Sequence, residues 1–213
     1  SSGLYRQPIV LDCVNFLRVV DNYHESTAVY RLLRMPFLNF KENDLQKINY
    51  CREKKSVSFY EAIKRAAEYG LSKEGIDVCD KLVGWIHGGM KRARYEKPGA
   101  VLLGFLEDSG YLAHITHEES HGNAEIIRQI YHLKQYFDYI HKYENVMPGA
   151  HVSDFIEHFS SVLESGDEGN LYQPSDTPDS VNIITIHRAK GLEFRYVFVV
   201  NLVEDRFPTR RRG

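Results

Sequence analysis

The stretch Thr185-Ile186-His187-Arg188-Ala189-Lys190-Gly191-Leu192-Glu193-Phe194 gathers hydroxyl, imidazole, ammonium and carboxylate groups within ten residues. Thr185 and His187 can hydrogen-bond phosphate or sugar oxygens, Lys190 adds a point charge, and Gly191 lets a backbone approach a ligand closely. Glu193 does not bind a phosphate unaided; a carboxylate here suits a ribose hydroxyl or the orientation of a neighbouring cation. A second candidate is His117-Glu118-Glu119-Ser120-His121, which satisfies H-E-x-x-H. On a helix that spacing sets two imidazoles one turn apart for zinc, with the glutamate as base, and His114 lies three residues earlier. Gly122-Asn123 follows at once, however, and the flanks lack an amphipathic apolar face. The stretch reads as a polar connector between two helices, and no metal site is expected there.

The elements that must position the first cluster are short. Val181-Asn182-Ile183-Ile184 precedes it and Tyr196-Val197-Phe198-Val199-Val200 follows; both are β-branched or aromatic, as in strands covered on both faces of a parallel sheet. The unit reads strand, short helical crossover, strand. In open α/β sheets ligands collect beyond the carboxyl ends of the strands, where Thr185, His187 and Lys190 would emerge.

Everything upstream reads as helical. Pro8 suits a first helical position, and Ile9, Cys13, Phe16, Leu17 and Val20 form one apolar stripe that stops at Asp21-Asn22. Ser26 is expected to cap a short helix carrying Ala28, Val29, Leu32 and Leu33, ending before Pro36. Asn43 or Asp44 is expected to cap a helix through Leu45, Ile48 and Cys51. Ser58-x-x-Glu61 reads as a capping box for a helix running towards Glu68, closed by Gly70. A longer helix follows from about Ser72, with Ile76, Cys79, Leu82, Val83 and Ile86 inward, fading at Gly88-Gly89. Pro98 opens another, through Val101, Leu102, Phe105 and Leu106 to Gly110. From about Asn123 a long helix is expected to bury Ile126, Ile127, Ile130, Leu133, Phe137 and Ile140, stopping before Pro148-Gly149. Ser153 is expected to cap the last helix, with Phe155, Ile156, Phe159, Val162 and Leu163 apolar. Ser165 to Ser180, rich in Gly, Ser, Asp and Pro, reads as a linker or mobile loop.

The formal charge of -2 over 213 residues hides an asymmetry. Residues 1–97 hold 17 Lys and Arg against 12 Asp and Glu, residues 98–180 hold 3 against 14, and residues 181–213 hold 7 against 3. A nucleic-acid surface should therefore use the two ends. The cluster Lys91-Arg92-Ala93-Arg94 either contacts phosphate or complements a helix C-terminus, the second being favoured. No apolar run approaches the length of a membrane span, and Ser1 to Arg6 lacks the apolar region of a secretory signal. Cys13, Cys51 and Cys79 are odd in number, far apart and each inside an expected helix, so reduced, buried, intracellular thiols and a cytoplasmic protein are expected.

The Thr185–Phe194 stretch resembles motif V of the UvrD/Rep/PcrA family of superfamily 1 DNA helicases, which carries a Thr-x-His-x-x-Lys-Gly-Leu-Glu-Phe core. All seven specified residues are present. Glu204, Phe207 and Pro208 are similar to the family's Glu-x-x-Phe-Pro continuation. The resemblance implies that Thr185, His187 and Lys190 meet the DNA backbone and that Gly191 and Glu193 lie towards the nucleotide. Leu4 to Asp12 and Val14 to Asn22 resemble the start of the family's subdomain 2B, and Tyr30 to Pro36 and Ser109-Gly110-Tyr111 fit it loosely. The resemblance departs at one loop: where members place Thr-x-Gly-Ile-Gly to grip duplex backbone, this chain has Phe37-Leu38-Asn39-Phe40. Without a glycine, that loop is expected to pack inward or against another protein or domain.

The implied architecture is mostly α: a multi-helix 2B-like bundle at residues 1–179, then a short α/β segment at 180–213 forming part of a RecA-like parallel sheet with motif V. No Gly-x-x-x-x-Gly-Lys-Ser/Thr phosphate loop, magnesium-binding Asp-Glu pair or later arginine motif is present, so the segment alone is expected to be inactive. The resemblance implies ATP and Mg as cofactors of a full-length ATP-dependent helicase, with none bound to this segment. The implied partners are single-stranded DNA and the duplex junction, the remaining helicase domains of the same chain, and repair or replication proteins. The alternative is a helical protein-interaction module with weak or no DNA binding.

Overall fold

Nine α-helices follow one another along residues 3–120 and 123–171, the part of the chain that the computed structural model describes. No strand occurs among the described residues, so the mostly α reading holds there. The chain divides into two units, Ser1–Gln173 and Pro174–Gly213; the described residues belong to the first. The strands expected at 181–184 and 196–200 lie outside them.

Helix α1 (Pro8–Asp21) is the centre of the helical unit. It packs against α2 (Ser26–Leu33), α5 (Lys73–Arg92), α6 (Pro98–Asp108), α8 (Ala124–Val146) and α9 (Val152–Glu164). The expected single stripe is too narrow: Val10, Val14 and Val19 are buried as well as Ile9, Cys13, Phe16, Leu17 and Val20. A helix apolar on most of its circumference has to be covered on most sides, which suits a central position. Phe16 stacks on Phe105 of α6 at 3.9 Å between ring centroids. Burying a side chain of that size contributes about 2–3 kcal/mol.

Several helix ends differ from the local sequence signals because tertiary partners take the capping groups. The N-cap of α2 is Glu25, and the Ser26 hydroxyl instead accepts the backbone N–H of Phe59, 33 residues away. Helix α3 (Glu42–Lys55) starts after Lys41, which leaves Asp44 inside its first turn. The Asp44 carboxylate reaches across to accept the backbone N–H and hydroxyl of Ser72, and the Ser72 hydroxyl accepts the N–H of Gly75. Asp44 thus braces the start of α5 rather than of its own helix. Ser58 caps α4 (Phe59–Lys64) as expected, by accepting the N–H of Glu61. That helix stops at Lys64 and gives way to a 3-10 turn, Ala66–Tyr69, closed by a left-handed Gly70.

Helix α5 does not fade at Gly88-Gly89 but runs to Arg92. Gly89 is where α1 comes closest: a β-carbon there would lie 2.7 Å from Phe16 and Val20. His117 to Ser120, read as part of a polar connector, instead belong to helix α7 (Tyr111–Ser120). Asn123 caps α8 by accepting from Glu125 and Ile126 N–H groups. Ile126, Ile127, Ile130 and Phe137 are half-buried, while His132, Leu133, Tyr136, Ile140 and Glu144 face the core. In α9 the N-cap is His151, not Ser153, and the Asp154 carboxylate accepts the His151 N–H at 2.7 Å. No helix among the described residues is long and apolar enough to cross a membrane.

Candidate nucleic-acid interface

Thr185, His187, Lys190, Gly191 and Glu193 all lie outside the described residues. What can be located is the helical scaffold, the loop after α2, and the two ends of the helical unit.

Three stretches far apart in sequence meet at Asp12, a carboxylate with 3% of its surface exposed. Arg31 of α2 donates its Nε–H to Asp12 Oδ1 at 2.9 Å, and the Tyr111 hydroxyl at the start of α7 donates to Oδ2 at 3.0 Å. Arg31 also donates from Nη2 to the Pro8 carbonyl at 3.2 Å. Burial pushes the Asp12 carboxyl above the ordinary carboxylate value, and Arg31 and Tyr111 oppose that shift. A buried charge has to be both paired and hydrogen-bonded, and here both conditions are met. The node fixes α1, α2 and α7 relative to one another and so sets the base of the loop between α2 and α3.

That loop packs inward. A 3-10 turn spans Pro36–Leu38, and Phe37 meets the Tyr111 ring edge-on at 4.8 Å between centroids. Leu38 and Phe40 are half-buried against the core. Asn39 takes the left-handed conformation, φ 49°, which Asn tolerates better than other residues with a β-carbon. A groove of about 700 Å³ separates the loop from α5, with Phe37, Leu38, Val78 and Trp85 among its walls. Lys41 pairs with Glu74 at 3.3 Å and Lys81 with Asp77 at 2.7 Å along its rim. Both pairs are exposed and contribute little to stability.

The basic cluster after α5 is only partly free for phosphate. Lys91 and Arg92 occupy the last turn of the helix, where cations complement its dipole, and Arg92 pairs with Asp108 at 3.1 Å. The H-E-x-x-H stretch is helical through Ser120, so the irregular-connector argument against it does not stand; His121 lies outside the described residues. His114 and His117 are exposed, and His114 lies beside Phe37. Among the described residues no group of three His, Cys, Asp or Glu side chains is placed to hold a metal ion. The cysteines are free thiols in α1, α3 and α5; Cys51 is only half-buried. Burial pushes the Cys79 thiol up to about 12 and that of Cys13 well above its ordinary value, which leaves both protonated at neutral pH.

The two ends of the helical unit lie side by side. Leu4 donates its N–H to the Gly169 carbonyl at 3.2 Å, Tyr5 donates to the Glu168 carbonyl at 3.0 Å, and Arg6 pairs with Glu168 at 2.7 Å. The Tyr5 ring packs on Phe159 of α9 and Tyr139 of α8. Sequence periodicity carried no sign of this backbone pairing across more than 160 residues.

Comparison with known proteins agrees with the UvrD/Rep/PcrA resemblance. The UvrD-like helicase C-terminal domain family matches residues 1–212. A probable DNA helicase II homolog of Rickettsia conorii is 29% identical over 211 residues, covering 97% of this chain and 30% of that protein. The ATP-dependent DNA helicase PcrA of Staphylococcus epidermidis is 24% identical over 206 residues, covering 96% of this chain and 27% of that protein. The chain thus spans less than a third of the length of these relatives. With the match running over nearly every residue, the chain belongs to the UvrD-like helicase C-terminal domain family.

Proposed function

We propose that this chain is the 2B-like helical insertion, residues 1–179, together with the motif V part of the second RecA-like domain, residues 180–213, of an ATP-dependent DNA helicase. The observation that carries the proposal, beyond the family match, is the pairing of Leu4 and Tyr5 with Glu168 and Gly169. A unit inserted into another domain must enter and leave at one place, and these ends do. In the full-length protein, Thr185, His187 and Lys190 contact the DNA backbone, and Gly191 and Glu193 face the nucleotide. ATP with Mg would supply the free energy that drives movement along DNA. The helical unit orients the duplex or a partner while the loop after α2, held by Phe37 on Tyr111, contributes a rigid apolar wall. The relatives' names indicate DNA as the substrate, and a cytoplasmic location accords with such a role.

The test is fluorescence anisotropy of a labelled 3'-tailed duplex and of its single strand, titrated with the 213-residue chain at low and moderate salt. Tighter binding to the tailed duplex, weakened by salt and by His187→Ala with Lys190→Ala together, is the expected result. A folded chain that binds neither DNA would favour the second reading, a protein-interaction module, for which Leu103 on α6 and Phe137 on α8, left exposed and half-buried by the described residues, are the specific support.

A further inference from the structure

We propose that the turn between α5 and α6 is a contact for single-stranded nucleic acid, with Tyr95 stacking on an unpaired base and Lys91 and Arg94 holding the phosphates beside it. The inference rests on the reading of the chain as part of a DNA helicase, and it adds a site on the helical unit to the one assigned to Thr185, His187 and Lys190. The run Lys91-Arg92-Ala93-Arg94-Tyr95-Glu96-Lys97 holds four cations and one anion in seven residues. Their roles differ. Arg92 is a structural group: its guanidinium lies over Gly104 of α6, where a β-carbon would collide with it, and pairs with Asp108 at 3.1 Å. Glu96 and Lys97 are adjacent and exposed, and their charges offset one another. The remaining charge belongs to Lys91 and Arg94, both exposed and without an acidic partner among the described residues.

Tyr95 is 85% exposed, the highest value for any large apolar side chain among the described residues. A ring that buries so little contributes almost nothing to folding. Its backbone is nevertheless fixed. The Arg92 carbonyl accepts the N–H groups of both Tyr95, at 2.9 Å, and Glu96, at 2.8 Å, and the Lys91 carbonyl accepts that of Arg94 at 3.4 Å. Pro98, buried at the first position of α6, closes the turn on its far side. The ring is thus displayed from a hydrogen-bonded turn, next in sequence to Arg94 and one turn from Lys91.

The side-chain chemistry selects the ligand. Two unpaired cations attract any polyanion, whereas an exposed aromatic ring beside them adds affinity only for a ligand with flat faces. A single strand offers both, phosphates in series and unstacked bases. A closed duplex hides its base faces in the stack, and an acidic peptide of Asp and Glu has none.

The probes are a fluorescein-labelled oligothymidylate about 20 nucleotides long and a blunt duplex of the same length, each titrated with the full chain and read by anisotropy. Tyr95→Ala is expected to weaken single-strand binding about tenfold, Tyr95→Phe to leave it unchanged, and neither to alter duplex binding by more than about twofold. Lys91→Gln with Arg94→Gln is expected to flatten the slope of log affinity against log salt by about 1–1.5. All three positions are exposed, and circular dichroism spectra that match the parent chain verify folding. Equal losses on single strand and duplex, a Tyr95→Phe variant as weak as Tyr95→Ala, or polyglutamate that displaces the probe as well as unlabelled oligothymidylate does, overturns the proposal. Single-strand binding that falls with His187→Ala and Lys190→Ala but ignores the turn variants overturns this contact alone. The reverse pattern supports it and removes the DNA contacts assigned to motif V. A folded chain that binds no DNA overturns both.

Discussion

Asp12 shows how one buried residue can set the demands on two distant ones. In the folded chain its carboxyl holds a proton more readily than in the unfolded chain, because burial outweighs the help from Arg31 and Tyr111. The sign follows: its contribution is most favourable below the ordinary carboxylate value and is lost as pH rises through the raised one. Removing the Tyr111 hydroxyl therefore hurts most when Asp12 is ionised. Tyr111→Phe is expected to cost about 1–2 kcal/mol near neutral pH and clearly less below about pH 4, read by urea denaturation at both. A cost independent of pH would mean that the hydroxyl does not serve the charge. The same substitution at Tyr136 should do the opposite. That side chain is fully buried on α8, and its hydroxyl has no hydrogen-bond partner among the described residues. Tyr136→Phe is expected to be neutral or to stabilise by up to about 1 kcal/mol; a loss above that would reveal a partner, such as a buried water, for the hydroxyl. Asp44 has the reverse pH dependence from Asp12. Against the penalty of burial, the Ser72 hydroxyl and N–H, with Lys47 and Lys41, hold its carboxyl below the ordinary value. Its contribution is present above that value and lost as pH falls below it.

At the scale of the element, α5 separates two roles of glycine within one helix. Nothing lies within 4 Å of a β-carbon built at Gly84, whereas one at Gly89 would meet Phe16 and Val20 at 2.7 Å. Gly84→Ala is expected to stabilise by about 0.5–1 kcal/mol through helix propensity alone. Gly89→Ala gains the same propensity but has to push α5 away from α1, for a net loss of about 1–2 kcal/mol. Thermal melts of the two variants should shift in opposite directions, and a parallel shift would contradict the close approach of α1 and α5. The loop before α3 gives a similar comparison. Asn39 sits at φ 49°, so Asn39→Gly is tolerated or slightly stabilising, while Asn39→Val is expected to cost about 1–2 kcal/mol.

Across the whole helical unit, the joined ends matter more than any single helix. Gly3 and Gly169 are held where a β-carbon would collide with the opposite segment: at Gly3 it would lie 2.1 Å from the Glu168 carbonyl oxygen, and at Gly169, φ 73°, it would lie 3.0 Å from Leu4 and Tyr5. Gly169→Val is expected to separate the ends while leaving the helices intact. Hydrogen exchange at the Leu4 and Tyr5 amides should then accelerate by at least about tenfold, with exchange in α1 unchanged. If α1 loosened equally, the paired ends would be part of the core rather than a clasp closing it.

How much could be read without coordinates depended on the range of the interactions. Pro8, Ser58, Ser72 and Asn123 mark helix starts correctly because each signal acts within a turn of its own residue. The family was legible from motif V and the 2B-like segments, since a string of specified residues needs no geometry to be recognised. The roles of Asp44 and Ser26 were not legible. Their side chains had good local caps available, yet bond to groups 28 and 33 residues away, because packing brought α5 and α4 within reach. Gly88-Gly89 looked like a helix end for the same reason: local propensity disfavours glycine there, and only the contact with Phe16 and Val20 explains why a glycine is needed. The sequence by itself determined eight of the nine helices among the described residues, the charge division and the family. The tertiary structure decided which polar groups meet at Asp12, where α1 and α5 come closest, and that the unit's two ends lie together, because each depends on contacts that sequence spacing does not encode.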